Sequence, residues 1–247
     1  MRHSWFLCVS WVLAIAAAAG CESSEEKRDK AARADNARDL PPFTAKLVSQ
    51  VLDHLPDPAT LRPVSCPPDL VAPEKVPTDS SAHRIHVVHV PTLRQIVDRS
   101  LRAESGKAKR QPAILTTRAY QWLTADPDAE ASSVRGGYQQ VAGRRYLGVF
   151  LEGEYSFGKM ENDEITEPAW YKGWFTVFDL EQGKLVAAFP AEHRSMDTVI
   201  VTKQKGKGVS WSKELRHNLT NRVIESTVVP QMQIYCPALE VIVRDYS

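Results

Sequence analysis

The chain has 247 residues, 31 Lys and Arg against 30 Asp and Glu, and a formal net charge of +1. That balance argues against a nucleic-acid binder, which would need a basic footprint. The length allows one sizeable core or two small ones, and neither an internal repeat nor a second long apolar run follows the N-terminal one.

Met1-Arg2-His3 is a short basic start, and Trp5 to Ala19 is an uncharged apolar run of 15 residues. A membrane-spanning helix needs roughly 20 residues at about 1.5 Å each, so the run is short for a span and has the length of a signal-peptide core. Only small residues stand from Ala16 to Gly20, and Cys21 comes next, followed by Glu22 and a polar stretch. Ala18-Ala19-Gly20-Cys21 resembles the lipobox of bacterial lipoproteins, with Ala18 where the family most often has Leu. The resemblance implies cleavage after residue 20, a diacylglyceryl group on the Cys21 thiol and an acylated (palmitate-type) amino group. An ordinary secretory signal or an uncleaved anchor also fits the run; a lone cysteine at its end favours lipidation. Several acyl chains hold a protein stably on a bilayer where one holds it only marginally.

Residues 22–40 carry six acids, five bases and no aromatic side chain. Such a stretch buries too little apolar surface to offset its ordering entropy, so residues 21–40 read as a lipidated cysteine with a solvated tether. A helix there is the alternative, since alanines are frequent and Glu26 and Lys30 stand four apart. Fully extended, the tether reaches roughly 60 Å.

Residues 41–247 read as one α+β domain with a largely antiparallel sheet packed by two or three helices. Helical spacing of Phe43, Leu47, Val48, Val51, Leu52 and Leu55 predicts a helix that Pro41 and Pro42 would start. Residues 56–77 hold seven prolines and Cys66 and predict an extended strap. A strand is expected over His83–Val90, then a helix opened by Pro91, strands over Ala113–Leu123 and Arg145–Tyr155, and a hairpin pairing Trp170–Leu180 with Lys184–Pro190 around Gly183. A strand over Asp197–Lys203, a helix over Lys213–Val229 ended by Pro230, and a closing strand in "ALEVIVRDY" complete the reading.

Cys8 leaves with the signal and Cys21 takes lipid, so Cys66 and Cys236 remain as an even pair in an exported domain and predict a disulfide. His83, His86 and His89 invite a metal reading, but on a strand the same-face pair stands about 20 Å apart. Glu161, Asp163, Glu164 and Glu167 lack the turn glycine of a calcium loop. Lys203, Lys205 and Lys207 lack phosphate-loop spacing, and "GVSWS" lacks the last glycine of a nucleophile elbow. His193 and Asp197 are close in sequence without an accompanying nucleophile. Trp170, Tyr171, Trp174 and Phe175 exceed what one strand face needs and suit hairpin packing or a binding surface.

The expectation is a lipid-anchored cell-envelope protein that binds or assembles, with no catalytic residue, cofactor or metal assigned and no nucleic-acid partner. Its contacts would be the membrane, through acyl chains on Cys21, and an envelope protein or polymer. Glu22 stands where Asp would signal inner-membrane retention in the Gram-negative members of the class, which favours the outer membrane and its periplasmic face over a cell-membrane anchor. The alternative is an envelope hydrolase acting on cell-wall polymer.

Overall fold

The computed structural model describes residues 23–68, 70, 84–98, 115–161, 164–195 and 219–242. In chain order the elements are α1 (Ser24–Gln50), a 3-10 turn (Leu52–His54), β1 (Arg84–His89), α2 (Val90–Val97), α3 (Arg118–Trp122), α4 (Ala131–Val141), β2 (Tyr146–Phe150), β3 (Glu154–Ser156), β4 (Lys159–Glu161), β5 (Glu164–Glu167), β6 (Trp170–Asp179), β7 (Lys184–Arg194), a π-helical turn (Ile224–Val228), α5 (Val229–Tyr235) and β8 (Glu240–Val241). They form an α+β domain in three layers. The α1–α4 helices lie on one face of the sheet and the helical stretch 219–235 on the other, each over its own buried cluster.

The sheet is mixed. β7 pairs antiparallel with β6; β6 pairs antiparallel with β2 through its second half and with β3 through its first; β1 is parallel to both β2 and β8. The expected hairpin is present, with Gly183 at φ +62 and its N–H donating to the Asp179 carbonyl at 2.8 Å. The Asp179 carboxylate accepts from the backbone N–H groups of Glu181 and Gln182 and from Arg145. Burial pushes that carboxyl up, and these donors outweigh it and leave its pKa below the ordinary range.

From Ser24 onward the solvated tether is replaced by a docked helix. Ser23 and Glu26 form a capping box: the Glu26 N–H donates to Ser23 Oγ at 3.1 Å and the Ser23 N–H to Glu26 Oε2 at 2.8 Å. Ala32, Asn36, Leu40, Phe43 and Leu47 then form one buried stripe at helical spacing. Asn36 Nδ2 donates to the Ala131 carbonyl at 2.9 Å, and Arg135 joins α4 to Asp39 at 2.6 Å. The Arg38 and Arg135 guanidiniums hold the Asp39 carboxyl down at about 2. Pro41 and Pro42 lie inside this helix rather than at its start. They remove two backbone donors, and burial of Leu40, Phe43 and Leu47 on either side of them offsets the loss.

Other differences have local causes. The strand expected over Ala113–Leu123 is reduced to Thr116 and Thr117 beside the half of β1 that β8 leaves unpaired, with the Thr117 N–H donating to the Val87 carbonyl at 2.8 Å, before α3 begins. The strand expected over Arg145–Tyr155 breaks after Phe150 and resumes as β3 on the other half of β6. The C-terminal helix passes Pro230 and ends at Tyr235, because the π turn just before it loosens the backbone where proline lacks a donor. Cys66 and Cys236 are joined by a disulfide with Cα atoms 4.9 Å apart. The proline-rich strap also bridges the sheet, where Val64 and Ala188 exchange backbone hydrogen bonds at 2.8 and 2.9 Å. The strand expected over Asp197–Lys203, Cys21 and the lysines of 203–207 lie outside the described residues.

Candidate functional site

The first residues of β6 and the last of β7 build a concavity among the described residues. β6 begins at Trp170 and β7 ends at Arg194, and their register sets Trp170 beside Arg194, Tyr171 beside His193 and Lys172 beside Glu192. With Glu167 at the end of β5 and Pro168 after it, these residues line an open concavity of about 560 Å³. Strand alternation divides their roles. Tyr171 and His193 share the face of the core that holds Phe175 and Phe189; Trp170, Lys172, Glu192 and Arg194 stand on the other.

The electrostatics of the lining are largely compensated. Lys159 pairs with Glu167, and Lys172 Nζ lies 3.9 Å from Glu192 Oε1. Arg194 makes no ion pair with another described residue. The buried Tyr171 hydroxyl donates to the Leu151 carbonyl at 3.2 Å, and burial raises its pKa. His193 carries a buried Nε2 without a hydrogen-bond partner among the described residues. Burial first, and the Arg222 charge second, push its pKa below the ordinary value, so the ring is neutral at neutral pH. The outer face of the lining offers an indole and a guanidinium and the core face a neutral imidazole, and no Ser, Thr or Cys is among the lining residues. That is a set for holding a ligand.

A second polar group of residues runs from the middle of β1 to its carboxyl end. His86 Nδ1 is 3.3 Å from Thr117 Oγ1, the His89 N–H donates to Thr116 Oγ1 at 3.1 Å, and Thr116 Oγ1 donates to Thr92 Oγ1 at 3.4 Å. His86 and His89 are 2% and 3% exposed. His86 faces Tyr120 and His89 faces Tyr155, on opposite sides of the sheet, so they do not converge on one ion. Burial pushes His89 down to about 4, and its Nε2 has no hydrogen-bond partner among the described residues. Leu115, which leads into the threonine pair, holds φ 51, a conformation that costs a β-carbon residue about 1 kcal/mol or more. Among the described residues no three His, Cys, Asp or Glu side chains are placed to hold a metal.

Of the residues singled out from sequence, Trp170, Tyr171 and His193 come together at the concavity. Trp174 and Phe175 pack into the two cores, and His83 and Asp197 lie outside the described residues. Glu161 and Glu164 pair across the β4–β5 ribbon, and Glu167 belongs to the concavity. Sequence reasoning missed Arg194 and Glu192 because it stopped the second hairpin strand at Pro190. Counting cross-strand partners outward from Gly183 would have reached them. No protein-family model, no curated protein and no solved structure matches this chain.

Proposed function

We propose that this chain is a lipid-anchored protein of the cell envelope, held by acyl chains on Cys21, that acts by binding or assembly. The observation that carries the reading is a lone cysteine at the boundary between a 15-residue apolar run and a polar stretch. The Cys66–Cys236 disulfide supports an oxidising compartment. Among the described residues no helix is long and apolar enough to cross a membrane, and acyl chains on Cys21 would supply the attachment. Glu22 after the cysteine favours the outer membrane and its periplasmic face.

The concavity supports the binding part of the reading. Trp170 supplies an apolar face with a polar edge and Arg194 a guanidinium without an ion-pair partner among the described residues. A hydrolase reading is less favoured, because Glu167 and Glu192, the two carboxylates of the lining, are each engaged by a lysine. Palmitate labelling of the wild type and of Cys21→Ser tests the proposal: label on the wild type alone is expected, and equal or absent label in both refutes it.

A further inference from the structure

We infer that α1 is a rigid spacer that stands the domain on the bilayer with the Trp170–Arg194 concavity facing the phospholipid headgroup layer. The inference rests on the lipid-anchor reading above. Ser24, where α1 starts, is three residues after Cys21, a span of at most roughly 11 Å. No long tether separates the anchor from the fold, because the helix is docked from its second turn onward. Asp29 accepts from Ser132, Asn36 donates to Ala131, Asp39 meets Arg135, and Phe43 meets the Tyr138 ring edge at 5.4 Å. From Asn36 onward the contacts advance together along both chains, Asn36 with Ala131, Asp39 with Arg135 and Phe43 with Tyr138, so α1 and α4 are parallel there.

The sheet can be placed on the same axis. Gly137, in the middle of α4, packs on the Ala119 backbone, and the adjacent Tyr120 meets His86 in the middle of β1. Strand register carries that level across through Val87, Gly148 and Val177. From it, the start of α1 lies about 17 residues away, roughly 25 Å at 1.5 Å each. Trp170 lies seven residues from Val177, roughly 23 Å at 3.3 Å each. Both point to the same end, because the opposite ends meet as well: the Gln50 side chain at the end of α1 lies against Gly183 at the hairpin turn. The start of α1 and the concavity therefore project to about the same height, and the hairpin turn is the far pole. A bilayer reached through Cys21 would meet Trp170, Arg194 and the 43%-exposed Tyr155 on its side of the domain. Trp, Tyr and Arg are residues that suit a headgroup layer.

The natively acylated protein provides the test. Cys21 is then blocked as a thioether and Cys66–Cys236 is closed, so an introduced cysteine is the sole thiol. Exposed Glu154 stands beside Lys172 at the concavity end, and exposed Lys184 stands beside Asp179 at the turn. A donor dye on Glu154→Cys or on Lys184→Cys is measured in vesicles carrying a headgroup-labelled acceptor lipid. With roughly 23 Å of strand between the two sites, energy transfer is expected to be at least about twofold stronger from position 154. A flexible Gly-Ser insertion between Ser23 and Ser24 should remove the difference. Equal transfer from both sites on a protein that carries acyl label overturns the orientation and leaves the lipid reading intact. A difference that survives the insertion overturns α1 as its cause. A protein without acyl label on Cys21 overturns the lipid reading and this inference with it. Thr166→Cys, exposed on β5, gives a second site near the concavity if Glu154→Cys folds poorly.

Discussion

Lowering the pH should destabilise this fold through His89. The ring is 3% exposed, its Nε2 has no hydrogen-bond partner among the described residues, and burial holds its pKa at about 4. In the unfolded chain the same ring titrates near 6.5. Between those values the unfolded state binds more protons than the folded one, so stability falls as pH falls through 6.5 and the loss levels off near 4. Linkage gives a loss of about 2 kcal/mol at pH 5 relative to pH 8 and about 3 kcal/mol in the acid limit. For a domain of this size, 2 kcal/mol corresponds to roughly 4–8 °C of melting temperature. The assay is urea unfolding of the non-acylated chain from pH 8 to pH 4, for the wild type and for His89→Leu. Asp179 and His193 contribute to both profiles, so the difference between the two isolates His89. The leucine variant should lose less stability than the wild type between pH 7 and pH 5. Parallel profiles would refute the reasoning, because they would mean that the imidazolium is accommodated in the folded state.

Three further outcomes are expected. Gly183→Val forces a β-branched residue to φ +62 and a Cβ to within 2.3 Å of the Gln50 side-chain oxygen; a loss of about 1–3 kcal/mol in a denaturant titration is the expected reading. Deleting residues 24–36 removes the buried Ala32 and Asn36 and the Asn36–Ala131 hydrogen bond, so the melting temperature should drop, whereas a solvated tether would leave it unchanged. Opening the Cys66–Cys236 bridge by Cys66→Ser, across 170 residues of chain, should cost at most about 5 kcal/mol; peptide mapping that finds two alkylatable thiols in the exported wild type would remove that expectation.

The α+β class and the β6–β7 hairpin were legible in the sequence because they rest on local patterns, and the disulfide, across 170 residues, because the cysteine count left one pair. Two apolar runs around a glycine fix the hairpin, and a pair of cysteines left over once Cys8 and Cys21 are assigned to the expected leader and anchor suggests its own bridge. The errors share the opposite character. The segment 22–40 is polar on three sides, and only Ala32, Asn36 and Leu40 show its buried stripe. Composition averages that stripe away, and a buried asparagine does not announce that α4 supplies its acceptor. Pro41 and Pro42 read locally as a start because the tertiary burial around them cannot be seen from the dipeptide. Pro230 reads as a stop because the π turn that accommodates it has no sequence signature. At the concavity, Trp170 was legible as a surplus aromatic residue. Arg194 was not, since it depended on a strand continuing through a proline.

The reason the strand can continue through Pro190 also explains what the strap is for. β7 is the outermost strand beside β6, and an uncovered edge of eleven residues is a template for pairing with another chain. Ala188 turns its N–H and carbonyl outward, and Val64 of the strap takes both. Strand periodicity turns the nitrogen of Pro190 to the same outer side, where it has no hydrogen to offer. Two residues on, the outward Glu192 carbonyl accepts from the Thr227 hydroxyl at 3.1 Å. The edge is thus closed at three successive outward positions by a backbone bridge, a missing donor and a side-chain cap. The strap is secured beside this edge by the disulfide and by the Cys66 N–H, which donates to the Tyr235 carbonyl at 2.7 Å. The outward positions 188, 190 and 192 therefore offer no continuous ladder to another chain, so a partner at this end of the molecule is met mainly by side chains. Those at this end include Trp170, Lys172 and Arg194 of the concavity, which share the face turned away from the Phe175–Phe189 core.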